Sequence, residues 1–266
     1  MPVPFYRAYI DDSKDKQVVV SGVIFGRTND WRQLINPWRE RLRKDGLDFF
    51  KSHDCDGLWN QFEKFRALEN GRQLADKVRE DLDQIIHESP VVTMGVVLPV
   101  QYHKELLANP ERGKKIPKSA YVLSFQQVLA ECALAMKRLP GRNNIISFVH
   151  DDGTDFQLLK NVYHEFKKRN PKYAKVMSEF VPLDDKIHPE LQAADVAASV
   201  TRKYALAYAN DPSVENLHRL ETSMYKIGMW GMRQSDEFPS IAIGGDPQGR
   251  PADAEFVDAD ELGIGA

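Results

Sequence analysis

The chain has 266 residues, of which 42% are hydrophobic and 28% charged, with a formal net charge of −3. This is the composition of an ordinary globular protein. No apolar run approaches the ~20 residues that a membrane helix needs, which excludes a membrane partner, and the first residues lack the apolar core of a signal peptide. The two cysteines, Cys55 and Cys132, form neither a disulfide framework nor a zinc-binding spacing. We therefore expect a protein of the reducing cytoplasm.

The negative charge is concentrated near the carboxyl terminus. Residues 246–266 contain six acids and one base, which leaves 35 basic and 33 acidic residues in the rest of the chain. This balance does not decide whether the partner is a nucleic acid. We predict one domain over residues 1–234 and an irregular acidic tail over residues 235–266.

The hydrophobic spacing of the first hundred residues predicts four strands and two helices. The predicted strands are 5–10 and 17–25, which pair as a hairpin, then 47–51 and 91–100, and the predicted helices are 31–43 and 58–88. Residues 52–57 are expected to form a turn.

The remainder alternates between helices and buried strands after a basic loop at 109–117. The predicted helices are 120–139, 156–169, 189–209 and about 214–224, and the predicted strands are 144–150 and 176–183. This order predicts an α/β fold whose mixed sheet opens with an antiparallel hairpin and carries helices on both faces.

Three aspartate sites stand out because each lies at the end of an apolar strand or near the start of an apolar helix. Asp11 and Asp12 follow the first strand, Asp151 and Asp152 follow the strand at 144–150, and Asp195 lies near the start of the helix at 189–209. Carboxylates that converge in a fold bind hard divalent cations, which suggests metal-dependent phosphodiester chemistry.

Each of these sites also has an ordinary structural interpretation. Asp11 and Asp12 have the composition of a hairpin turn, and the acids around Asp151 fit the N-cap region of the next helix, where Thr154 or Asp155 could cap. Asp195 could be an acid favoured by the helix dipole. Its neighbours are nearly all small or apolar, however, and a carboxylate buried among them needs a partner. Gln192 shares its helix face.

Two weaker features complete the set of candidates. His53 could supply a metal ligand or a proton-transfer group, although a histidine in a polar segment is more often merely exposed. Basic residues on the first helix and in the loop at 109–117 could follow phosphates or simply be solvated. They are Arg32, Arg39, Arg41, Arg43, Arg112, Lys114 and Lys115.

The three aspartate motifs together resemble the DUF3800 family of RNase H-like (retroviral integrase superfamily) proteins. The resemblance rests on Ile10-Asp11-Asp12-Ser13, on Phe148-Val149-His150-Asp151 and on Leu191-Gln192-Ala193-Ala194-Asp195, and it covers about residues 5–205. The segment Phe49-Phe50-Lys51-Ser52-His53 is similar to a further family motif. Asp12 replaces the usual glutamate, and the acid on the first helix of RNase H-type enzymes has no counterpart here.

The resemblance implies a divalent-metal-dependent nuclease in phage defence or mobile-element biology, acting on DNA or RNA. Asp11, Asp151 and Asp195 would hold two Mg²⁺ or Mn²⁺ ions, with Asp12, His53, Asp152 and Gln192 as accessory residues. A non-catalytic RNase H-like module that binds nucleic acid or protein is the alternative. A haloacid-dehalogenase-type phosphatase is a third reading, but its Asp-x-Asp-x-Thr spacing is missing. The protein could also form a homo-oligomer.

Overall fold

One seven-stranded sheet organises the chain. The computed structural model describes residues 5–139 and 144–223, together with the backbone of two short strands beyond them. The strands are β1 (Phe5–Lys14), β2 (Val18–Arg27), β3 (Val92–Pro99), β4 (Ile145–Asp151), β5 (Met177–Leu183), β6 (Lys226–Met229) and β7 (Ser240–Ile243). Their order in the sheet is β5-β4-β1-β2-β3-β6-β7. β1, β2 and β3 are antiparallel neighbours, whereas β4 is parallel to β1 and β5 is parallel to β4.

The described helices lie between these strands. They are α1 (Thr28–Lys44), α2 (Ser52–Gly57), α3 (Glu63–Arg66), α4 (Gly71–Glu88), α5 (Val100–Ala108), α6 (Ala120–Arg138), α7 (Phe156–Arg169), α8 (Pro171–Ala174), α9 (Pro189–Asn210) and α10 (Val214–Thr222). No helix in the described part of the chain is long and apolar enough to cross a membrane.

The sheet separates two hydrophobic cores. Successive residues of a strand point to opposite faces, so Ile10 packs with α6 and α7 in one core while Tyr9 packs with α1, α4 and α9 in the other. In β4, Phe148 and Val149 divide between the same two cores. The predicted α/β class, with a mixed sheet, an opening hairpin and helices on both faces, is confirmed.

The first strand is longer than predicted. β1 continues through Lys14, and the turn to β2 is formed by Asp15, whose Oδ1 accepts hydrogen bonds from the amides of Gln17 at 2.7 Å and Val18 at 2.9 Å. Asp15 alone therefore supplies the side-chain bonds of the turn. Asp11 and Asp12 lie in extended backbone.

The predicted short strand at 47–51 is wrong, and so is the predicted turn that follows it. The amides of Asp48 and Phe50 donate to the side chains of Gln61 and Gln192 instead of to a neighbouring strand. Residues Ser52–Gly57 form α2. Side chains from distant parts of the chain accept the hydrogen bonds of these backbone amides. The local sequence pattern does not reveal such partners.

The predicted helix at 58–88 is interrupted. Leu58 has φ 51° and Asn60 has φ 49°, which are left-handed values that a right-handed helix cannot contain. The chain then forms a 3-10 turn at Asn60–Phe62, followed by α3 and α4. Helix α5 was not predicted.

The last predicted helix and the predicted tail extend beyond the residues that the structure describes. The helix predicted at about 214–224 is α10, which ends at Thr222. Within the predicted irregular tail at 235–266, Ser240–Ile243 form β7, and the rest of that segment lies outside the described residues.

Candidate metal centre at the carboxyl ends of the central strands

Asp11 lies inside β1 and faces α9. It pairs across the sheet with Gly22 of β2. Tyr9, two residues earlier, points into the core on the α9 side, so Asp11 points to the same side. Its side chain is half-buried. The hairpin-turn interpretation does not apply to Asp11, because the turn belongs to Asp15.

Asp151 is the last residue of β4, next to Asp11. The parallel register places Ile10 beside His150, so Asp11 and Asp151 are the next residues on two neighbouring strands. Val149 belongs to the core on the α9 side, and alternation puts Asp151 on that side too. The capping interpretation does not explain Asp151, because the N-cap of α7 is Asp155.

A close approach of α9 to the sheet brings Asp195 to the same place. A Cβ atom added to Gly22 would lie 3.0 Å from the Cβ of Ala198, so the helix packs against the bare glycine backbone. Asp195 lies three residues before Ala198, on the same face of the helix. Since Gly22 is the partner of Asp11 in the sheet, this contact holds Asp195 over Asp11.

The Asp195 carboxylate is fixed by one backbone donor. The amide of Ser52, at the start of α2, donates to Asp195 Oδ2 at 2.6 Å. Asp195 is the seventh residue of α9, and the acid in the first helical turn is Glu190. The helix dipole therefore favours an acid at Glu190, and it does not explain the acid at Asp195.

Burial and neighbouring carboxylates raise the pKa values of Asp11 and Asp195. Burial raises the pKa of Asp11 well above its usual range, and the charges of Asp195, Asp12 and Asp151 raise it further. Burial also raises the pKa of Asp195 to about 6, against the lowering effect of the Ser52 amide. Asp11 therefore lies within electrostatic reach of both Asp195 and Asp151.

A fourth acid, Asp185, joins this group and was missed in the sequence. It lies two residues after β5, and its charge raises the pKa values of both Asp151 and Asp195. Asp185 follows a parallel strand that neighbours β4, so the argument that singled out Asp151 also applied to it. The sequence Asp184-Asp185-Lys186 instead resembled an ordinary turn.

Lys51 supplies a positive charge within the group. Its Nζ lies 2.8 Å from Asp185 Oδ2. Burial lowers the pKa of Lys51, but the hydrogen bond and the charge of Asp185, together with Asp151 and Asp195, raise it overall. Asp11, Asp151, Asp185 and Asp195, which we call the acid group, thus have one lysine in ion-pair contact.

Gln192 connects the parts of the chain that carry these residues. It is 2% exposed, and its Oε1 accepts from Trp38 Nε1 at 2.9 Å and from the Phe50 amide at 3.1 Å. Its Nε2 donates to the carbonyl of Asp185 at 2.8 Å. Gln192 therefore positions Asp185 and the segment before Lys51 without contacting the carboxylates itself.

Asp12 and His150 lie at the same strand end, towards α6. Ligand atoms of Asp11, Asp12 and His150 lie within 4.8 Å of one another, and this is the one such set among the described residues. His150 is already engaged, because Nε2 lies 3.0 Å from the Tyr121 hydroxyl and Nδ1 lies 3.0 Å from the Asp151 carbonyl. Asp12 pairs with Lys14 at 3.3 Å. Binding an ion through His150 would break a buried hydrogen bond.

The remaining predicted accessory residues lie at the margin of the acid group. Asp152 is exposed, and its amide donates to the Leu183 carbonyl at 3.2 Å. The side chain of His53 is 76% exposed and its ring contacts Trp59. Of the basic residues predicted on α1, Arg41 forms ion pairs with Asp45 and Asp81. The other three, Arg32, Arg39 and Arg43, are exposed.

The donor chemistry of the acid group fits hard divalent cations. Its ligand atoms are carboxylate oxygens, which Mg²⁺ and Mn²⁺ prefer over softer metals. Burial, together with neighbouring negative charge, raises the pKa values of Asp11, Asp151 and Asp195, and a bound divalent cation would offset both effects. Two ions about 4 Å apart would also allow Asp151 and Asp195 to bind different ions without approaching each other.

No protein-family model matches the chain, and no curated protein sequence matches it. The resemblance to the DUF3800 family therefore stays a prediction. The site is defined by the geometry and charge of its own residues.

Proposed function

We propose that the chain is a divalent-metal-dependent nuclease that hydrolyses phosphodiester bonds of DNA or RNA. The observation that carries this proposal is the acid group. Four carboxylates from β1, β4, the loop after β5 and α9 interact at one edge of the sheet, and one lysine is in ion-pair contact with them. Two Mg²⁺ or Mn²⁺ ions bound there would activate a water and stabilise the leaving oxygen.

The position of each residue in the acid group suggests its role. Besides burial, the charges of Asp195, Asp12 and Asp151 raise the pKa of Asp11, so Asp11 would be the ligand shared between two ions. Asp151 and Asp195 would each hold one ion on either side of it. Asp185 takes the place of the acid that the RNase H-type pattern lacked, and it would complete the ligands on the side of Asp151.

Lys51 would contact the substrate, and Gln192 would position one of the metal ligands. The Lys51 side chain is 37% exposed, so it can reach a phosphate when Asp185 turns to a metal ion. Ser52 orients the Asp195 carboxylate through its amide. Gln192 holds the Asp185 loop, and such supporting residues typically change metal affinity or activity 10- to 100-fold.

The test is cleavage of single-stranded and duplex DNA and RNA by the purified protein with Mn²⁺, Mg²⁺ or EDTA. We expect cleavage with either ion and none in EDTA. Asp11→Asn, Asp195→Asn and Asp185→Asn should each lose at least about 100-fold, because each removes a charged metal ligand. Asp155→Asn is the matched control, since Asp155 lies at the same edge and pairs with Lys14.

The rival function gives the opposite result. A non-catalytic module would bind nucleic acid equally well with EDTA and in Asp11→Ala, and it would cleave nothing with Mn²⁺. That outcome would reject the nuclease. We also propose that the protein acts in the cytoplasm, where its two buried cysteines, Cys55 and Cys132, would stay reduced.

A further inference from the structure

Trp59 is an exposed tryptophan just after α2, the helix whose first residue, Ser52, donates to Asp195. Its residue is 43% exposed, whereas Trp31 and Trp38 are 4% and 0% exposed, and Trp230 lies outside the described residues. A tryptophan buries a large apolar surface when the fold allows it. An indole held at the surface therefore calls for an explanation.

The backbone around Trp59 is shaped to keep the indole where it is. A Cβ atom on Gly57 would lie 2.4 Å from two ring atoms of Trp59, so the indole lies against the bare backbone of Gly57. On either side of the tryptophan, Leu58 and Asn60 have positive φ. Non-glycine residues in this conformation are strained and cluster at functional sites.

Two hydrogen bonds fix this arrangement to α2. The Trp59 amide donates to the Asp54 carbonyl at 2.9 Å, and Asn60 Nδ2 donates to Asp54 Oδ1 at 2.9 Å. Asp54 itself is 5% exposed. The indole is thus positioned before any ligand arrives, which lowers the entropy cost of binding to it.

A second ring adjoins the indole. The ring of His53 lies 4.4 Å from that of Trp59 between centroids, at an interplanar angle of 52°. The side chain of His53 is 76% exposed. The two rings contact each other at an angle and both are partly exposed, and we call this pair the Trp59 platform.

The platform is next to the candidate metal centre along the chain. His53 directly follows Ser52, whose amide donates to Asp195, and Lys51 precedes Ser52. Helix α2 has six residues, so the platform lies on the order of 10 Å from Asp195. This is a distance that a short stretch of polynucleotide can span.

A positive charge flanks the platform. Arg66 Nη2 donates to the Gly57 carbonyl at 3.3 Å, and its side chain is 49% exposed. Glu63 is 3.9 Å away from Arg66, an exposed pair that contributes little. A phosphate beside a base stacked on Trp59 could therefore contact Arg66.

We propose that the Trp59 platform binds an unpaired base of the nucleic-acid substrate and that Arg66 contacts its phosphate. Aromatic side chains stack on the π-face of any base, which gives affinity without sequence preference. A paired base within a duplex is covered on both faces by its neighbours, so the platform selects a single-stranded segment. This inference rests on the proposed function, because the metal centre makes nucleic acid the ligand.

The test measures binding in EDTA, where cleavage does not occur. The probes are oligo-dT and oligo-U of about 12 nucleotides and a blunt DNA duplex of the same length. We expect both single-stranded probes to quench tryptophan fluorescence and to bind more tightly than the duplex. Trp59→Ala should weaken single-strand binding roughly 5- to 160-fold, the range that corresponds to the loss of one stacked base.

Further variants separate stacking from general surface effects. Trp59→Phe should retain part of the affinity, because it keeps an aromatic face, and should lose the quenching. Gly57→Ala, which keeps the indole but displaces it, should weaken binding as well. Leu158→Ala is the control, since Leu158 is an exposed apolar residue on α7, at 49% exposure. Circular dichroism verifies that each variant is folded.

The outcomes distinguish the platform from the nuclease. If Trp59→Ala binds single strands as tightly as the wild type, or if the wild type binds no single strand, the platform is rejected, whatever the cleavage result. If the wild type cleaves nothing with Mn²⁺ but Trp59→Ala still loses single-strand affinity, the nuclease is rejected and the platform stands as a binding site.

Discussion

At the scale of single residues, the acid group is a concentration of negative charge that the protein itself balances incompletely. Lys51 forms an ion pair with Asp185, and Arg79 lowers the pKa of Asp195 from a greater distance, yet burial and repulsion still raise it. Such an arrangement costs stability in the metal-free protein. The natural compensation is a bound cation, because it offsets charge and repulsion together.

This cost predicts a pH dependence for the metal-free protein. The pKa of Asp195 is about 6 in the folded protein and 3.8 as the reference value. The folded state thus binds the proton more tightly, so the cost is absent below about pH 4 and complete above about pH 6. Asp195→Asn, which can still accept from Ser52, should raise stability at pH 7.5 in EDTA by at most about 3 kcal/mol.

Thermal melts of the wild type and Asp195→Asn at pH 4 and pH 7.5 check this expectation. The difference between the two proteins should nearly vanish at the lower pH. Asp155→Asn, an exposed acid, should show no such pH-dependent difference. A variant that is less stable than the wild type at pH 7.5 would contradict the argument.

Gln192 gives a second prediction at this scale. Gln192→Leu leaves Trp38 Nε1 and the Phe50 amide without their acceptor and removes the donor to the Asp185 carbonyl. The loss should be about 2–4 kcal/mol of unfolding free energy. Gln192→Glu keeps the acceptor and loses the donor, so it should be more stable than Gln192→Leu but still bind Mn²⁺ more weakly than the wild type. Equal Mn²⁺ affinity in a calorimetric titration would show that Gln192 has only a structural role.

At the scale of elements, the contact between α9 and β2 determines whether Asp195 reaches Asp11. Gly22→Val should push the helix away, because even a Cβ atom there lies 3.0 Å from Ala198 Cβ. Overpacking of this kind costs about 1–3 kcal/mol. Mn²⁺-dependent cleavage should fall by more than the stability loss explains, since the two carboxylates separate.

A double mutant tests whether the contact between residues 22 and 198 positions Asp195. Adding Ala198→Gly to Gly22→Val removes the nearest contact, although the backbone of Ala198 remains 3.2 Å away. We expect partial recovery of both stability and cleavage, measured as a double-mutant cycle. Strictly additive effects of the two substitutions would mean that the contact does not position Asp195.

The elements show where sequence reasoning succeeds. Helix α7 has the predicted bounds, Phe156–Arg169, and its buried residues Leu159, Tyr163 and Phe166 have the helical spacing that predicted it. The segment at 47–51 was misassigned because its amides bond to Gln61 and Gln192, which are distant in sequence. The predicted helix at 58–88 failed because Leu58 and Asn60 adopt positive φ around an exposed tryptophan.

Part of the candidate site could be predicted from the sequence, and part could not. Asp11, Asp151 and Asp195 were recognisable because each lies at the end of an apolar strand or within an apolar helix. Asp185 also follows a predicted strand and was open to the same argument, but the structure was needed to show that this strand lies beside β4. Likewise, nothing local predicts that Ser52 would bond to Asp195.

At the scale of the whole molecule, the sheet accounts for the location of the site. β1, β4 and β5 are parallel, so their carboxyl ends meet at one edge, where ligands commonly bind in α/β sheets. Helix α9 crosses this edge with Asp195, and α2 begins there. The central claim is that this edge binds two divalent cations through Asp11, Asp151, Asp185 and Asp195.

A crystal structure grown with Mn²⁺, using anomalous scattering, tests this claim most directly. We expect two Mn²⁺ peaks about 4 Å apart, with the Asp11 carboxylate contacting both ions and Asp151 and Asp195 contacting one each. Asp185 should have left Lys51 to bind the ion near Asp151. An absence of peaks at this edge, or a single ion held by Asp11, Asp12 and His150, would contradict the account.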